Sequence, residues 1–131
     1  MSVLVAEDQA FIALDLSLAV EDAGGQVVGP VSSSREGLTL LAKGGVGAAI
    51  LDLNLVDGES TALVEVLVGL GVPFIIHSAV DLPPALTARF PGLLVQTKPC
   101  LAANLIARLG TLVAEDARSD GAAPTVTDET P

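Results

Sequence analysis

Short apolar runs rich in valine and isoleucine alternate with longer segments of helical period, and this alternation limits the possible folds more than any other feature. Strands that are apolar without interruption suit a parallel sheet that is buried on both faces, and the segments between them suit helices that cover those faces. The sequence therefore predicts an α/β fold with a doubly wound, five-stranded parallel sheet. The strands are predicted near residues 3–6, 26–29, 48–53, 74–77 and 93–96.

The segments between the predicted strands carry helix start and stop signals. Ser33 is followed three residues later by Glu36, which is the pattern of a capping box at the start of a helix. Paired glycines at 24–25 and 44–45 are typical of helix ends. Further helices are expected at 60–70 and 83–90, and a last one places leucines at 101, 105, 109 and 112 on one face. The first helix, expected at 9–23, has an apolar stripe of Phe11, Leu14 and Leu18.

The length of 131 residues and the half-apolar composition suit one domain with one core. The apolar period stops near residue 114, and the following segment consists mainly of alanine, proline, threonine, serine, glycine and acidic residues. Such a composition buries too little apolar surface to offset the entropy of ordering. We expect a folded domain at residues 1–114 and a disordered acidic tail at 115–131.

Charge and composition exclude several classes of partner. The formal net charge is −10 and the chain has no tryptophan or tyrosine, so we expect no binding of nucleic acid. No apolar run reaches the roughly 18 residues of a membrane-spanning helix, and the N-terminus has no basic stretch followed by an apolar run. The single Cys100 can form no internal disulfide. These features predict a cytoplasmic protein with no membrane partner.

Chemically active side chains follow four of the five predicted strands. Glu7 and Asp8 follow the first strand, Asp52 the third, Ser78 the fourth and Lys98 the fifth. In open parallel sheets the ligand site lies beyond the carboxyl ends of the strands, at a switch in strand order. The sequence therefore predicts that these five side chains face one crevice.

Three carboxylates in one crevice indicate a metal site. At separations of about 4 to 6 Å they repel one another by a few kcal/mol per pair unless a cation lies among them. Oxygen ligands without histidine or cysteine favour Mg²⁺, with Mn²⁺ as a possible substitute. The Lys98 ammonium supplies a second positive charge, and the Ser78 hydroxyl can donate to a phosphoryl oxygen. A nucleophile, a metal and a lysine are the groups that phosphoryl transfer requires.

Four segments resemble, in order and spacing, the motifs of receiver domains of two-component signalling. They are VLVAED (3–8), AAILDLNLVDG (48–58), IIHSA (75–79) and TKP (97–99), and the resemblance covers residues 3 to about 114. It implies a flavodoxin-like receiver fold of the stand-alone type, with the sheet order 2-1-3-4-5. The family's aromatic switch position is occupied here by Val95, so an output through a moving aromatic ring is not expected.

The resemblance also implies roles for individual residues. Asp52 would accept a phosphoryl group from a histidine kinase or a histidine phosphotransferase, and output would pass to a downstream protein or to a further phosphotransfer step. The protein would be a switch and not an enzyme, apart from catalysing its own phosphorylation and dephosphorylation. The expected Mg²⁺ ligands are Asp8, Asp52 and the Asn54 main-chain carbonyl, with Glu7 in the outer shell and with Ser78 and Lys98 assisting the transfer.

Three alternatives remain open. A receiver fold could serve as a docking module without phosphorylation, and Val95 keeps that reading open. An aspartyl-phosphate phosphatase needs an acid two residues after its nucleophile, where this chain has Asn54. A flavodoxin-like flavin carrier needs a phosphate-binding loop after Ala6, and the sequence has none there.

Three further residues have simple structural interpretations. His77 should point away from Ser78, because successive residues of a strand face opposite sides. Cys100 is expected to be a small, partly buried apolar residue without a redox role. Asp57, followed by glycine, is typical of a turn.

Overall fold

The computed structural model describes residues 1–122, with side chains to residue 117. Its main sheet is parallel and has five strands in the order β2-β1-β3-β6-β7, and β4 and β5 form a separate two-stranded hairpin. The elements are β1 (Ser2–Ala6), α1 (Ala10–Asp22), β2 (Gln26–Val31), α2 (Ser34–Ala42), β3 (Ala48–Leu51), β4 (Asn54–Leu55), β5 (Gly58–Glu59), α3 (Thr61–Leu70), β6 (Phe74–Ser78), α4 (Pro84–Arg89), β7 (Val95–Thr97) and α5 (Ala102–Ala122).

The predicted fold class and strand order are confirmed. Without the hairpin strands, the observed order is the predicted 2-1-3-4-5. Leu4 of β1 lies between Val28 of β2 and Ala49 of β3, so the chain crosses from one side of β1 to the other after β2. This is the switch in strand order at which the carboxyl ends of β1 and β3 leave a crevice.

Alternate residues of each central strand enter two separate cores. Leu4 and Leu51 face α2 and α3, whereas Val5 and Ile50 face α1 and α5. All of these side chains are at most 1% exposed, and burial of one such aliphatic side chain contributes about 1.5 to 3 kcal/mol. The uninterrupted apolar sequence of β3 is therefore explained by a strand that packs against helices on both faces.

Helix α1 does not pack through the stripe that its sequence suggests. Phe11 is 86% exposed, and Leu14 and Leu18 are about half exposed. The buried residues of α1 are Ala13, Leu16 and Val20. Because α1 is apolar on more than one side, the spacing of its large residues could not identify the side that meets the sheet.

The N-terminus of α2 is capped from two directions. The Ser33 hydroxyl accepts a hydrogen bond from the Glu36 N–H at 3.1 Å, as the capping box predicts. The Asp57 carboxylate accepts hydrogen bonds from the N–H groups of Ser34 at 2.8 Å and Arg35 at 3.1 Å. These two bonds lower the pKa of Asp57. Asp57 lies in the predicted turn, and it also joins the β4–β5 hairpin to α2.

Helix α5 continues to Ala122. The predicted boundary between a domain at 1–114 and a tail at 115–131 therefore falls inside this helix, and residues 115–122, predicted to be disordered, are helical. Alanine, glutamate and arginine favour helix even where no apolar face is left to bury. Residues 123–131 of the predicted tail lie outside the described residues. None of the described helices is both long and apolar enough to cross a membrane.

Replacing Ser33 with alanine should lower the free energy of unfolding by about 1 kcal/mol, because the Glu36 N–H loses its acceptor. Denaturant unfolding followed by circular dichroism measures this change. Ser32→Ala is the matched control and should change stability by less than about 0.5 kcal/mol. Equal losses in the two variants would contradict a specific capping role for Ser33.

Asp57 should make stability depend on pH in the acid range. Its pKa is lowered in the folded protein, so its charge stabilises the fold above the unfolded-chain pKa of about 3.9, and this stabilisation is lost as the pH falls through the folded value. The difference in unfolding free energy between wild type and Asp57→Asn should therefore be greatest at neutral pH and should shrink below about pH 4. A difference that stays constant from pH 7 to about pH 2.5 would show that the charge makes no contribution.

Candidate functional site

Backbone hydrogen bonds continue past the strand ends and hold the predicted site residues at one edge of the sheet. The Asp52 N–H donates to the Ala6 carbonyl at 2.8 Å, which fixes the residue after β3 against the end of β1. The Lys98 N–H donates to the Ser78 carbonyl at 2.8 Å, which fixes the residue after β7 against the end of β6. The main chain thus brings these strand ends together.

Lys98 joins two buried carboxylates. Its Nζ donates to Asp52 Oδ2 at 3.0 Å and forms an ion pair with Glu7 Oε1, also at 3.0 Å. Burial alone would lower the pKa of Lys98, but hydrogen bonds and Coulombic attraction from Asp52 and Glu7 together raise it. Lys98 therefore stays protonated, and one positive charge faces two potential negative charges.

The carboxylates of Glu7, Asp8 and Asp52 form a cluster in which one oxygen of each lies within 4.8 Å of the others. Asp8 is exposed to solvent, whereas Glu7 and Asp52 are buried. Burial raises the pKa of Glu7 to about 7, although Lys98 opposes this shift. A compact set of carboxylate oxygens that includes a buried acid with a raised pKa fits a hard divalent cation, which would favour the ionised form of Glu7.

The loop after β3 holds the Asp52 backbone through Ser60, a residue outside the predicted site. The buried Ser60 hydroxyl donates to the Asp52 carbonyl at 2.8 Å and makes no capping bond to α3. A serine directly before a helix is normally interpreted as a cap, so this contact could not be predicted from the residue pattern. The Asn54 N–H donates a long hydrogen bond, of 3.4 Å, to Asp52 Oδ1.

Ser78 is buried, and its hydroxyl is bonded to its own loop. It donates to the Val80 carbonyl at 2.9 Å and accepts from the Val80 N–H at 3.2 Å. The hydroxyl proton is therefore directed to the main chain of Val80. Ser78 still lines the same depression, of about 240 Å³, as four other predicted site residues, Asp8, Asp52, Asn54 and Lys98.

Glu7 lies behind this depression. Its carboxylate accepts from the Gln9 N–H at 3.2 Å, in addition to its contact with Lys98. All six residues predicted for the site are thus close together, five around the depression and Glu7 beneath it.

His77 lies on the other side of the sheet from Ser78, as predicted. It lines a different cavity, of about 480 Å³, beneath the first half of α1, and Cys100 borders the same cavity. Burial lowers the pKa of His77, and the nearby Lys98 charge adds to this effect, so the imidazole is neutral at pH 7. Within the described part of the chain, neither ring nitrogen of His77 has a hydrogen-bond partner.

At the edge of the sheet, β7 is held by a cation. Arg108 of α5 donates to the Val95 carbonyl at 3.2 Å and to Gln96 Oε1 at 2.8 Å. The Val95 side chain packs against the core that contains Leu4 and Leu51. The position at which the resemblance implies an aromatic ring is thus a small aliphatic side chain, and the strand is joined to α5 through Arg108.

Solved structures similar to this one are response regulators. PhyR from Brucella abortus is 29% identical with a TM-score of 0.78, over 93% of this chain and 51% of PhyR, so the chain spans about half the length of that protein. SdrG from Sphingomonas melonis is also 29% identical, with a TM-score of 0.71, over 87% of this chain and 96% of SdrG.

A third similar structure, at lower identity, supports the fold. A CheY-like receiver domain protein from Methanospirillum hungatei has a TM-score of 0.80 at 20% identity, over 90% of this chain and 97% of that protein. No family model matches the chain, and no curated protein matches it either. The strand order, the residues at the strand ends and these likenesses agree, and the chain has the fold of response-regulator receiver domains.

Proposed function

We propose that this receiver domain is a cytoplasmic phosphoryl-accepting switch of a two-component or phosphorelay system, phosphorylated on Asp52 by a histidine kinase or a histidine phosphotransferase. The observation that carries the proposal is the position of the Asp52 carboxylate. It lines an open depression, 3.0 Å from the Lys98 ammonium and within 4.8 Å of an Asp8 carboxylate oxygen. This arrangement combines a nucleophile with groups that can neutralise a phosphoryl group.

In the proposed reaction Asp52 attacks phosphorus in line with the leaving imidazole. Oδ2 is held by Lys98 at 3.0 Å, whereas among the described residues Oδ1 accepts only the long bond from Asn54, so Oδ1 is the freer oxygen. The new oxygen–phosphorus bond forms as the phosphorus–nitrogen bond of phosphohistidine breaks. The imidazole keeps the electron pair and takes a proton from solvent.

The residues that would hold Mg²⁺ are Asp8, Asp52 and the Asn54 main-chain carbonyl, with Glu7 in the outer shell. When bound, the ion would neutralise negative charge on the phosphoryl oxygens, and Mn²⁺ could do the same. Lys98 already neutralises one carboxylate of the site, and the phosphoryl group offers it further oxygens. The chain thereby assists its own phosphorylation without turning over another substrate.

Phosphorylation would be read out by a change in the bonds of Ser78. The hydroxyl that now donates to the Val80 carbonyl would donate instead to a phosphoryl oxygen, and the loop between β6 and α4 would move with it. Lys98 would shift toward the same group. The surfaces of α4 and α5 would then favour a different partner, or the phosphoryl group would pass onward, as a shift between two populated states.

The exposed face of α1 supports a protein as phosphodonor. Phe11, Leu14 and Leu18 are large apolar residues open to solvent, and Phe11 is three positions after Asp8. Exposed apolar patches next to a polar site mark protein contacts. A kinase or phosphotransferase that covers this face would lie beside Asp52.

A docking module that functions without phosphorylation is the second candidate. Val95 favours it, because no aromatic side chain is available at that position to report phosphorylation to the surface of α4 and α5. Labelling of the wild-type protein by phosphodonors distinguishes the two candidates, because a docking module of this kind would not depend on it.

Asp52→Asn should abolish phosphorylation, because an amide oxygen is too weak a nucleophile to replace the carboxylate. Labelling by acetyl phosphate and by phosphorylated histidine kinases, resolved on phosphate-affinity gels, measures this. Asp22→Asn at the far end of α1 is the matched control and should be labelled like wild type. Full labelling of the Asp52 variant, or no labelling of wild type by any donor, would reject the proposal.

Asp8→Asn should weaken Mg²⁺ binding by about tenfold or more, since it removes one of the charged oxygens of the cluster. Titration calorimetry measures the affinity, and the rate of labelling by acetyl phosphate should fall in parallel at limiting Mg²⁺. Asp22→Asn again serves as the control. Wild type that takes up no Mg²⁺ at millimolar concentration contradicts the metal assignment, and unchanged affinity in the variant contradicts the role of Asp8.

A further inference from the structure

The cavity beneath α1 adjoins the phosphorylation site without being part of it. It shares Gln9, Ala79 and Lys98 with the depression around Asp52. Its own walls are mostly apolar and include Ile12 and Leu16 of α1. A concave apolar site with a few polar groups is the usual form of a binding pocket in proteins.

His77 is the feature of this cavity that packing does not explain. The residue is 3% exposed, and neither Nδ1 nor Nε2 has a hydrogen-bond partner within the described residues. Buried polar groups are normally paired, and an unpaired one is costly. Isoleucine or valine occupies several other buried strand positions on this side of the sheet, such as Ile75, Ile50 and Val5, and either residue would avoid that cost.

The surroundings of the cavity indicate what could reach His77. Asp15 lines the cavity, Asp8 lies nearby on the neighbouring depression, and no basic residue of the described chain except Lys98 borders either one. Large exposed apolar side chains stand close by in sequence, Phe11 on α1 and Leu101 before α5. A helical surface of a partner, apolar at its centre and basic at its flanks, is complementary to this combination.

We propose that the cavity receives a side-chain amide, asparagine or glutamine, from the protein that phosphorylates Asp52, and that His77 selects this donor by hydrogen bonding to the amide. This inference rests on the proposed function and names its partner surface. An imidazole that carries one proton has one nitrogen that donates and one that accepts, and an amide side chain can bond to either of them, through its oxygen or through its NH₂ group. His77 takes no part in the chemistry at Asp52, because it makes no hydrogen bond to Asp52 or Lys98 in the described structure.

The test compares a small phosphodonor with protein donors. The full-length chain is labelled by acetyl phosphate and by a panel of phosphorylated histidine kinases and phosphotransferases from the source organism, and the fastest protein donor is used for kinetics. The variants are His77→Val, which removes both nitrogens, and His77→Asn, which keeps a donor and an acceptor. Leu70→Ala, an exposed position on α3, is the control and should match wild type with both donors.

For His77→Val we expect the KM for the protein donor to rise roughly five- to tenfold with little change in kcat, the effect of losing hydrogen bonds between neutral groups. His77→Asn should keep most of the wild-type KM, and both variants should react with acetyl phosphate within about twofold of wild type. Thermal unfolding should show that His77→Val is at least as stable as wild type. If it fails to fold, His77→Leu takes its place.

Several outcomes would overturn the inference. An unchanged KM in His77→Val would show that the imidazole is satisfied by water alone. A loss of reactivity toward acetyl phosphate as large as the loss toward the protein donor would show that His77 acts through Asp52. Wild type that reacts with acetyl phosphate but with no protein donor also overturns it, while leaving Asp52 as the phosphoacceptor. Wild type that reacts with neither donor rejects the proposed function itself.

Discussion

The rest of the site depends on one ammonium group placed between two buried carboxylates. Lys98 lies 3.0 Å from both Asp52 and Glu7, and each of these three residues follows a different strand of the sheet. Without that positive charge, two acids in a poorly solvated crevice would repel one another and favour protonation. The ion pairs therefore depend on the strand order, since β1 and β3 are neighbours in the sheet and only β6 lies between β3 and β7.

Much of the fold and of the site could be predicted from the sequence. The strands are buried on both faces, so their composition is uniformly apolar and their number and order are well specified. A parallel sheet places all its carboxyl ends at one edge, so Glu7, Asp52, Ser78 and Lys98 had to converge once the strands were recognised. Asp8 and Asn54 follow because they are direct or near neighbours of these residues in the chain.

Some features could not be predicted because the same local sequence pattern is compatible with more than one set of contacts. Helix α1 has apolar residues on two sides, and only contact with the sheet shows that Leu16 is buried and Phe11 is exposed. Ser60 precedes a helix like any capping serine, yet its hydroxyl bonds to the Asp52 carbonyl. The length of α5 could not be predicted from apolar periodicity, because the helix continues over residues 115–122, where the sequence has no apolar period.

The β4–β5 hairpin orders the loop that would hold the proposed metal ion. The segment between β3 and α3 is already ordered by three hydrogen bonds. The Ser60 hydroxyl donates to the Asp52 carbonyl, the Asp57 carboxylate accepts from the start of α2, and the Val56 N–H donates to the Ser32 carbonyl at 3.0 Å. A ligand loop that is ordered beforehand loses little conformational entropy when it binds. The affinity of the proposed metal site would then be determined mainly by charge and hydration, so it should respond to ionic conditions more than to changes in loop flexibility.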